Sequence, residues 1–365
     1  MSLSAIDPSI ARRAIDAKTK PLGALGRLED VAVRLAVLQG TLTPSLDRAR
    51  VCVFGADHGI AMQGVSAYPR AVTAEMMRNF DRSGAAINVI AATNTVSVEV
   101  IDVGVDADLS MLAGIRHEKV RPGSRNLLDE PAMTAGELGA ALAVGRSAAR
   151  RAVTDGVRAL GLGEMGIGNT TVASALLSAL TGHRAAMTVG RGTGVSDDVL
   201  ERKREIVDNA VERHCSGADQ LRDPRELLRC LGGLELAAIA GAALEAAQHR
   251  VAVVVDGFIS TVAVLCAARI AAADESLRPL GPALFFAHRS AETGHGIALD
   301  AFASIPDCDS YPLLQLDMRL GEGSGAALAM PILRSAAAIM RDMATFESAG
   351  VSAGDKAAAH SESVA

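Results

Sequence analysis

Leu160-Gly-Leu-Gly-Glu-Met-Gly-Ile-Gly-Asn-Thr-Thr-Val172 decides how this chain is read. The apolar run 156–160 reads as the end of a buried strand, and 172–180, Val-Ala-Ser-Ala-Leu-Leu-Ser-Ala-Leu, reads as a helix. Between them Gly161, Gly163, Gly166 and Gly168 allow sharp bends and close approach to a ligand. Asn169, Thr170 and Thr171 follow, each of a type that can cap the helix. Free N–H groups at a helix start, with the dipole behind them, attract an anion. The stretch is expected to be a phosphate cradle at a strand-to-helix turn. It is no Walker loop, because no Gly-Lys-Ser/Thr closes it. Glu164 would repel a triphosphate, so it is expected to face an uncharged or cationic part of a ligand. On this stretch alone, a tight turn without a ligand stands level with the cradle.

To either side of this stretch, apolar strands are expected at 50–55, 96–103, 251–255 and 283–287, with a short one at 185–189. Helices are expected at 6–18, 27–39, 72–80, 87–92, 134–152, 196–213, 224–231, 234–248, 293–301 and 326–343, and one ending near residue 272. Thr134 and Glu137 fit a capping box. The alternation predicts an α/β fold, a doubly wound, mainly parallel sheet, with the terminal helices forming a smaller helical domain. Polar residues follow the strands: Asp57 and His58, Asp102, Glu164, Asp256, His288. In such sheets ligands bind beyond the carboxyl ends of the strands, so these side chains are expected to share one cleft. The Ser/Ala-rich stretch 347–365 is expected to be a disordered tail.

Composition narrows the class. The chain of 365 residues has a net charge of −6 and only 2% aromatic residues, which argues against a nucleic-acid surface. Its five cysteines, Cys52, Cys215, Cys230, Cys266 and Cys308, form neither a zinc pattern nor a disulfide framework. The opening Met1-Ser-Leu-Ser-Ala-Ile-Asp-Pro8 carries no apolar signal-peptide run. The most apolar helix is interrupted by Glu235 and Glu245, so no membrane span is expected. A soluble, cytoplasmic protein follows as the expectation.

Several candidate residues have two readings. His58 after Asp57 is a base or metal pair, or, preferably, a hydrogen-bonded pair that fixes a loop. Asp256 binds a sugar hydroxyl or caps the helix after it. Lys203, on a charged helix, is most simply solvent-exposed, although a lysine beside a phosphate would also fit. His288 and His295 are too isolated for a metal site. Glu322, in Gly321-Glu-Gly-Ser-Gly325, is either a poorly solvated carboxylate suited to proton abstraction or ordinary helix N-terminal chemistry.

Five motifs give a sharper reading. They are Lys20-Pro-Leu-Gly-Ala-Leu-Gly-Arg-Leu-Glu29; Ala56-Asp-His-Gly59 with Tyr68-Pro-Arg70 and Val72-Thr-Ala74; Gly163-Glu-Met-Gly-Ile-Gly-Asn-Thr-Thr171; Asp256-Gly-Phe258; and Met318-Arg-Leu-Gly-Glu-Gly-Ser-Gly-Ala-Ala-Leu-Ala-Met-Pro331. In these the chain resembles the nicotinate-nucleotide:dimethylbenzimidazole phosphoribosyltransferase family. The resemblance implies a Rossmann-like large domain, taken as 41–299, and a small helical domain from both chain ends, taken as 1–40 and 300–346. It implies a homodimer that transfers phosphoribose from nicotinate mononucleotide to 5,6-dimethylbenzimidazole in cobalamin biosynthesis. Glu322 matches the family's general base, and Glu164 and Lys203 match positions of the nucleotide site. The phosphate and ribose are then expected at Gly166, Gly168, Asn169, Thr170, Thr171, Lys203 and Asp256, and the base between Tyr68, Met76, Met165 and Leu320. No metal or cofactor is required. Met76 stands where the family often has glutamine, which leaves another aromatic acceptor open. A non-catalytic nucleotide-binding regulator is the alternative of a different class. A dinucleotide oxidoreductase is disfavoured, because Gly55 and Gly59 do not fit its fingerprint.

Overall fold

Six strands form one all-parallel sheet: β1 (Ala49–Ala56), β2 (Ser97–Gly104), β3 (Ile115–His117), β4 (Ala159–Met165), β5 (Ala252–Val255) and β6 (Leu284–Phe286). Their spatial order is β3-β2-β1-β4-β5-β6. The structure is a computed structural model and describes residues 6–192, 194–216 and 223–352. The expected doubly wound parallel sheet is present. Its growth reverses between β1 and β4, the switch point beyond which ligands bind in open α/β sheets. The register sets Phe54 beside Glu164 and Gly55 beside Met165, so Glu164 emerges at that crevice.

The central strands are apolar throughout because both faces are covered. Val51, Cys52, Val53 and Phe54 have no exposure, nor have Val253, Val254 and Val255. The helices Ala135–Thr154 and Leu234–Gln248 approach backbone to backbone. A methyl group on Gly145 would strike the Ala238 carbonyl, and one on Gly241 the Leu142 carbonyl. This close packing accounts for the chain's richness in alanine and glycine.

Two local expectations are corrected, and one short strand is added. Residues Ala185–Thr188 form a short helix, not a strand, with the N–H of Ala185 held by Asp208 Oδ1 at 3.0 Å. The polar loop after β2 contains the edge strand β3. The helix Asn169–Thr181 is not capped by Asn169, Thr170 or Thr171; its N-cap is Gly168, at φ +93°.

The chain divides into two units, Met1–Asp47 with Met330–Ala365, and Arg48–Ala329. Residues 41–47 thus fall with the first unit and 300–329 with the second. In the first, the helix Pro8–Asp16 starts at Asp7, which accepts the Ser9 N–H at 2.8 Å. The helix Arg27–Gln39 follows a loop pinned by the buried ion pair Lys20–Glu29, 2.9 Å. Lys18 donates to the Met343 carbonyl at 2.6 Å. Phe346–Ala349 is a one-turn helix inside the expected tail, whose residues 353–365 lie outside the described residues. The second unit holds the whole sheet.

Candidate active site

A cavity of about 540 Å³ opens at the carboxyl ends of the strands in the larger unit. Its lining includes four carboxylates, Glu164, Asp256, Glu292 and Glu322, together with His288 and Arg319. Tyr68, Val72, Met76, Met165 and Leu320 supply an apolar side. Ten of the residues expected from sequence line this one cavity: Glu322, Glu164, Gly166, Asn169, Thr170, Asp256, Tyr68, Met76, Met165 and Leu320. Gly168, Thr171 and Lys203 do not line it. Gly168 and Thr171 serve the turn itself: the Gly168 carbonyl accepts the Thr171 N–H at 3.0 Å.

Glu164 is the penultimate residue of β4 and is buried, its carboxylate accepting from the Asn169 amide. Burial, with Asp256, Glu235 and Glu322 nearby, pushes its pKa up to about 8, against the Asn169 hydrogen bond. Asp256 follows β5. It caps a helix, but not the one after it: it accepts the N–H groups of Gly323 at 3.1 Å and Ala326 at 2.9 Å, at the start of the helix Ser324–Asp342. Burial raises its pKa to about 7, opposed by these N–H groups. Glu322 is 5% exposed and accepts the Ile87 N–H at 3.2 Å. Burial raises its pKa, the Ile87 N–H opposes this, and Asp256 adds to it.

Lys203 is not solvent-exposed, as its charged helix suggests; it is 1% exposed. Its Nζ lies 3.2 Å from Thr170 Oγ1 and 3.3 Å from the Gly190 carbonyl, one side chain behind the cavity wall. Burial lowers its pKa to about 8, against the pull of Glu292. The sequence alone assigns no role to Glu292 or Arg319. Arg319 donates to the Gly192 carbonyl at 2.6 Å. A second recess of about 310 Å³ shares Gly192, Glu292 and Arg319 with the cavity and adds Arg191 and Arg204. The site thus has an apolar side and a basic end. His58 does not pair with Asp57. It meets Glu235 at 2.8 Å, while Asp57 accepts the Asp106 N–H at 2.8 Å and lies 3.5 Å from Arg70. His295 is held by the Ser290 N–H at 2.7 Å and by Thr261 at 3.0 Å, and burial lowers its pKa to about 3.

A family model described as phosphoribosyltransferase matches residues 5–351. The chain belongs to this family. It is similar to the nicotinate-nucleotide–dimethylbenzimidazole phosphoribosyltransferase of Chromobacterium violaceum, 49% identical over 356 residues, 96% of this chain and 97% of that one. The enzyme of the same name from Pseudomonas aeruginosa is 48% identical over 349 residues, 95% of each chain. Of the solved structures, CobT from Thermus thermophilus superposes with a TM-score of 0.88 at 48% identity, covering 95% of this chain and 99% of that one.

A phosphoribosyltransferase must hold an anionic phosphate and a sugar that turns cationic, a few ångströms apart. Arg319, Arg191 and Arg204 line the recess together with Glu292, Lys203 lies behind Thr170 and Gly190, and Glu164, Asp256 and Glu322 line the cavity. Among the described residues, no group of three His, Cys, Asp or Glu side chains is arranged to hold a metal ion.

Proposed function

We propose that this phosphoribosyltransferase transfers phosphoribose from nicotinate mononucleotide to 5,6-dimethylbenzimidazole, giving nicotinate and α-ribazole 5′-phosphate for the cobalamin lower ligand. The observation that carries the reading is one cavity joining an apolar slot, a buried Glu322 and a basic end. The names of relatives that match almost the whole chain support it.

In this reading the benzimidazole lies between Tyr68, Met76, Met165 and Leu320, an apolar setting suited to a flat neutral ring. Glu322 takes the proton from one ring nitrogen, for which a raised pKa suits it. The freed nitrogen lone pair attacks C1′ of the ribose. The C1′–N bond to the pyridinium breaks, and its electron pair leaves with neutral-ring nicotinate, so no general acid is needed. Attack from the opposite face converts the β-nucleotide into the α-ribazole. Glu164, beside the developing positive charge on the sugar, stabilises it; a cationic ligand draws this carboxyl back toward its ionised form.

The phosphate belongs at the basic end. Three N–H groups of the glycine-rich turn are engaged within the protein: Ile167 to Thr73 Oγ1 at 3.1 Å, Asn169 to the Gly166 carbonyl at 3.2 Å, and Thr171 to the Gly168 carbonyl at 3.0 Å. Thr170, Lys203 and Arg319 supply the remaining donors and the positive charge. A homodimer goes with the reading, as the family resemblance implies. So does a cytoplasmic location, with which five free cysteines are in keeping.

The test is incubation of the purified protein with nicotinate mononucleotide and 5,6-dimethylbenzimidazole, following both products by chromatography and mass spectrometry. Joint appearance of nicotinate and α-ribazole phosphate supports the reading. Product only with another aromatic acceptor corrects the acceptor. Nucleotide binding without turnover on any acceptor overturns it in favour of a regulator.

A further inference from the structure

His58 and Glu235 form a close pair with no exposure to solvent. Nε2 of His58 lies 2.8 Å from Oε1 of Glu235, and both side chains are fully buried. Neither lines the cavity. The imidazole is wedged between two glycines: a methyl group on Gly166 would come within 2.9 Å of its Nε2, and one on Gly233 within 2.5 Å of its Cε1. Gly166 opens the turn that joins Glu164 to Asn169. Gly233 precedes the helix Leu234–Gln248, whose first turn bears Glu235. The chain around His58 is itself anchored, with the Gly59 N–H on the Ser124 carbonyl at 2.9 Å and Ser124 Oγ 3.4 Å from Nδ1 of the ring. One imidazole therefore braces the end of β1, the glycine turn and the start of a helix.

Stability does not account for such a pair. Nε2 of His58 and both carboxyl oxygens of Glu235 are buried without a hydrogen-bond partner, which costs stability, and well-packed apolar residues of similar volume often do as well or better. We propose that His58 and Glu235 are positioning residues: their pair fixes the Gly166–Asn169 turn, and with it the Glu164 carboxylate, at the height the donor ribose requires. This rests on the phosphoribosyl-transfer reading of the cavity. A second effect follows. The groups acting on Glu164 come from every element around it: Asp256 after β5, Glu235 on its helix, Glu322 ahead of the long helix, and the Asn169 amide. Glu235 is one of three carboxylates that make ionisation of Glu164 harder. Its removal lets Glu164 ionise at lower pH.

Two variants test this. Glu235→Gln keeps the shape and removes the carboxylate. The double variant His58→Phe/Glu235→Met keeps the volume and removes both polar groups. Each is compared with wild type for kcat, donor KM, acceptor KM, pH profile and melting temperature. The Glu164 carboxyl is titrated by ¹³C NMR and assigned with Glu164→Gln. The expected result is a loss of kcat/KM for the donor of about 10- to 100-fold, the scale that a 1 Å misplacement produces. Acceptor KM stays unchanged, melting of the double variant matches or exceeds wild type, and the Glu164 titration in Glu235→Gln moves to lower pH. Wild-type kinetics and an unmoved titration in Glu235→Gln overturn the proposal. So does a loss of activity that follows melting temperature alone. A double variant that does not fold leaves the decision to Glu235→Gln. Absence of transfer by the wild-type protein is a failure of the function, and the Glu164 titration then decides the pair's role by itself.

Discussion

The backbone N–H of Ile87 reaches across the cavity wall to Oε2 of Glu322 at 3.2 Å. Ile87 stands in the first turn of the helix Ala86–Thr93, so the carboxylate meets the positive end of that helix. The contact aims Glu322 and restrains the rise in its pKa that burial causes. Glu322→Gln keeps the size and an acceptor for Ile87 and removes the carboxylate proposed as the base. A fall in kcat of about 10²- to 10⁴-fold with unchanged donor KM is expected, measured by steady-state kinetics.

As the proposed base, the same carboxyl should set a pH limb. A base works only when deprotonated, and the Glu322 pKa lies above the ordinary glutamate value. Activity should therefore fall as pH drops through a midpoint higher than that of a free glutamate. A kcat profile taken on the acid side of neutrality checks this, and Glu322→Gln should lack the limb.

Gly163 lies under the backbone of Glu322. A methyl group there would come within 2.5 Å of the Glu322 carbonyl carbon and 2.6 Å of the Gly323 nitrogen. Both neighbours are backbone, so neither can swing aside. Gly163→Ala should displace Glu322 without touching a substrate. The expected outcome is a kcat loss of about 10²-fold in a protein whose circular dichroism remains that of a folded α/β chain.

Glu164 links function to stability. Its pKa rises from 4.5 to about 8 on folding. The native state therefore holds a proton that the unfolded chain releases, so this contribution to stability is fully present below about pH 4.5 and lost as pH rises through about 8. Glu164→Gln is neutral at every pH and should melt at higher temperature than wild type at pH 9, with little difference at pH 5. Its activity should fall. Thermal melts at the two pH values, with assays beside them, give the comparison.

Lys203 should make donor binding pH-dependent in the opposite region. Burial lowers its pKa to about 8, so its charge is lost near that pH. Donor KM should rise on the alkaline side. Lys203→Met should raise donor KM at pH 7 and remove this dependence, with acceptor KM unchanged.

Much of this is legible in the sequence because the strands are apolar runs followed by polar residues. Five of the six strands can be found that way. The exception, β3, is a three-residue edge strand with exposed Arg116 and His117, so it carries no apolar run to detect. The segment 185–188 is too short for periodicity to separate strand from helix, and what holds it is Asp208, distant in sequence. Lys203 is misplaced when its helix is judged by charge, although the pattern of its burial is present. With Ile206, Val207 and Ala210 it occupies positions i, i+3, i+4 and i+7, the buried face of the helix Asp197–Cys215. Glu235, a charge in an otherwise apolar helix start, likewise announces a buried partner, but nothing local names it as His58. Glu292 and Arg319 reach the site from separate loops, which only the tertiary fold brings together.

Glu322 has φ +64°, between Gly321 at +87° and Gly323 at +83°. Of the three, it alone carries a side chain in a left-handed conformation that costs about 1 kcal/mol for an L-residue. Selection for folding alone would place a third glycine there. That a glutamate stands there instead means that the loop accepts a small backbone cost to present a carboxylate to the cavity.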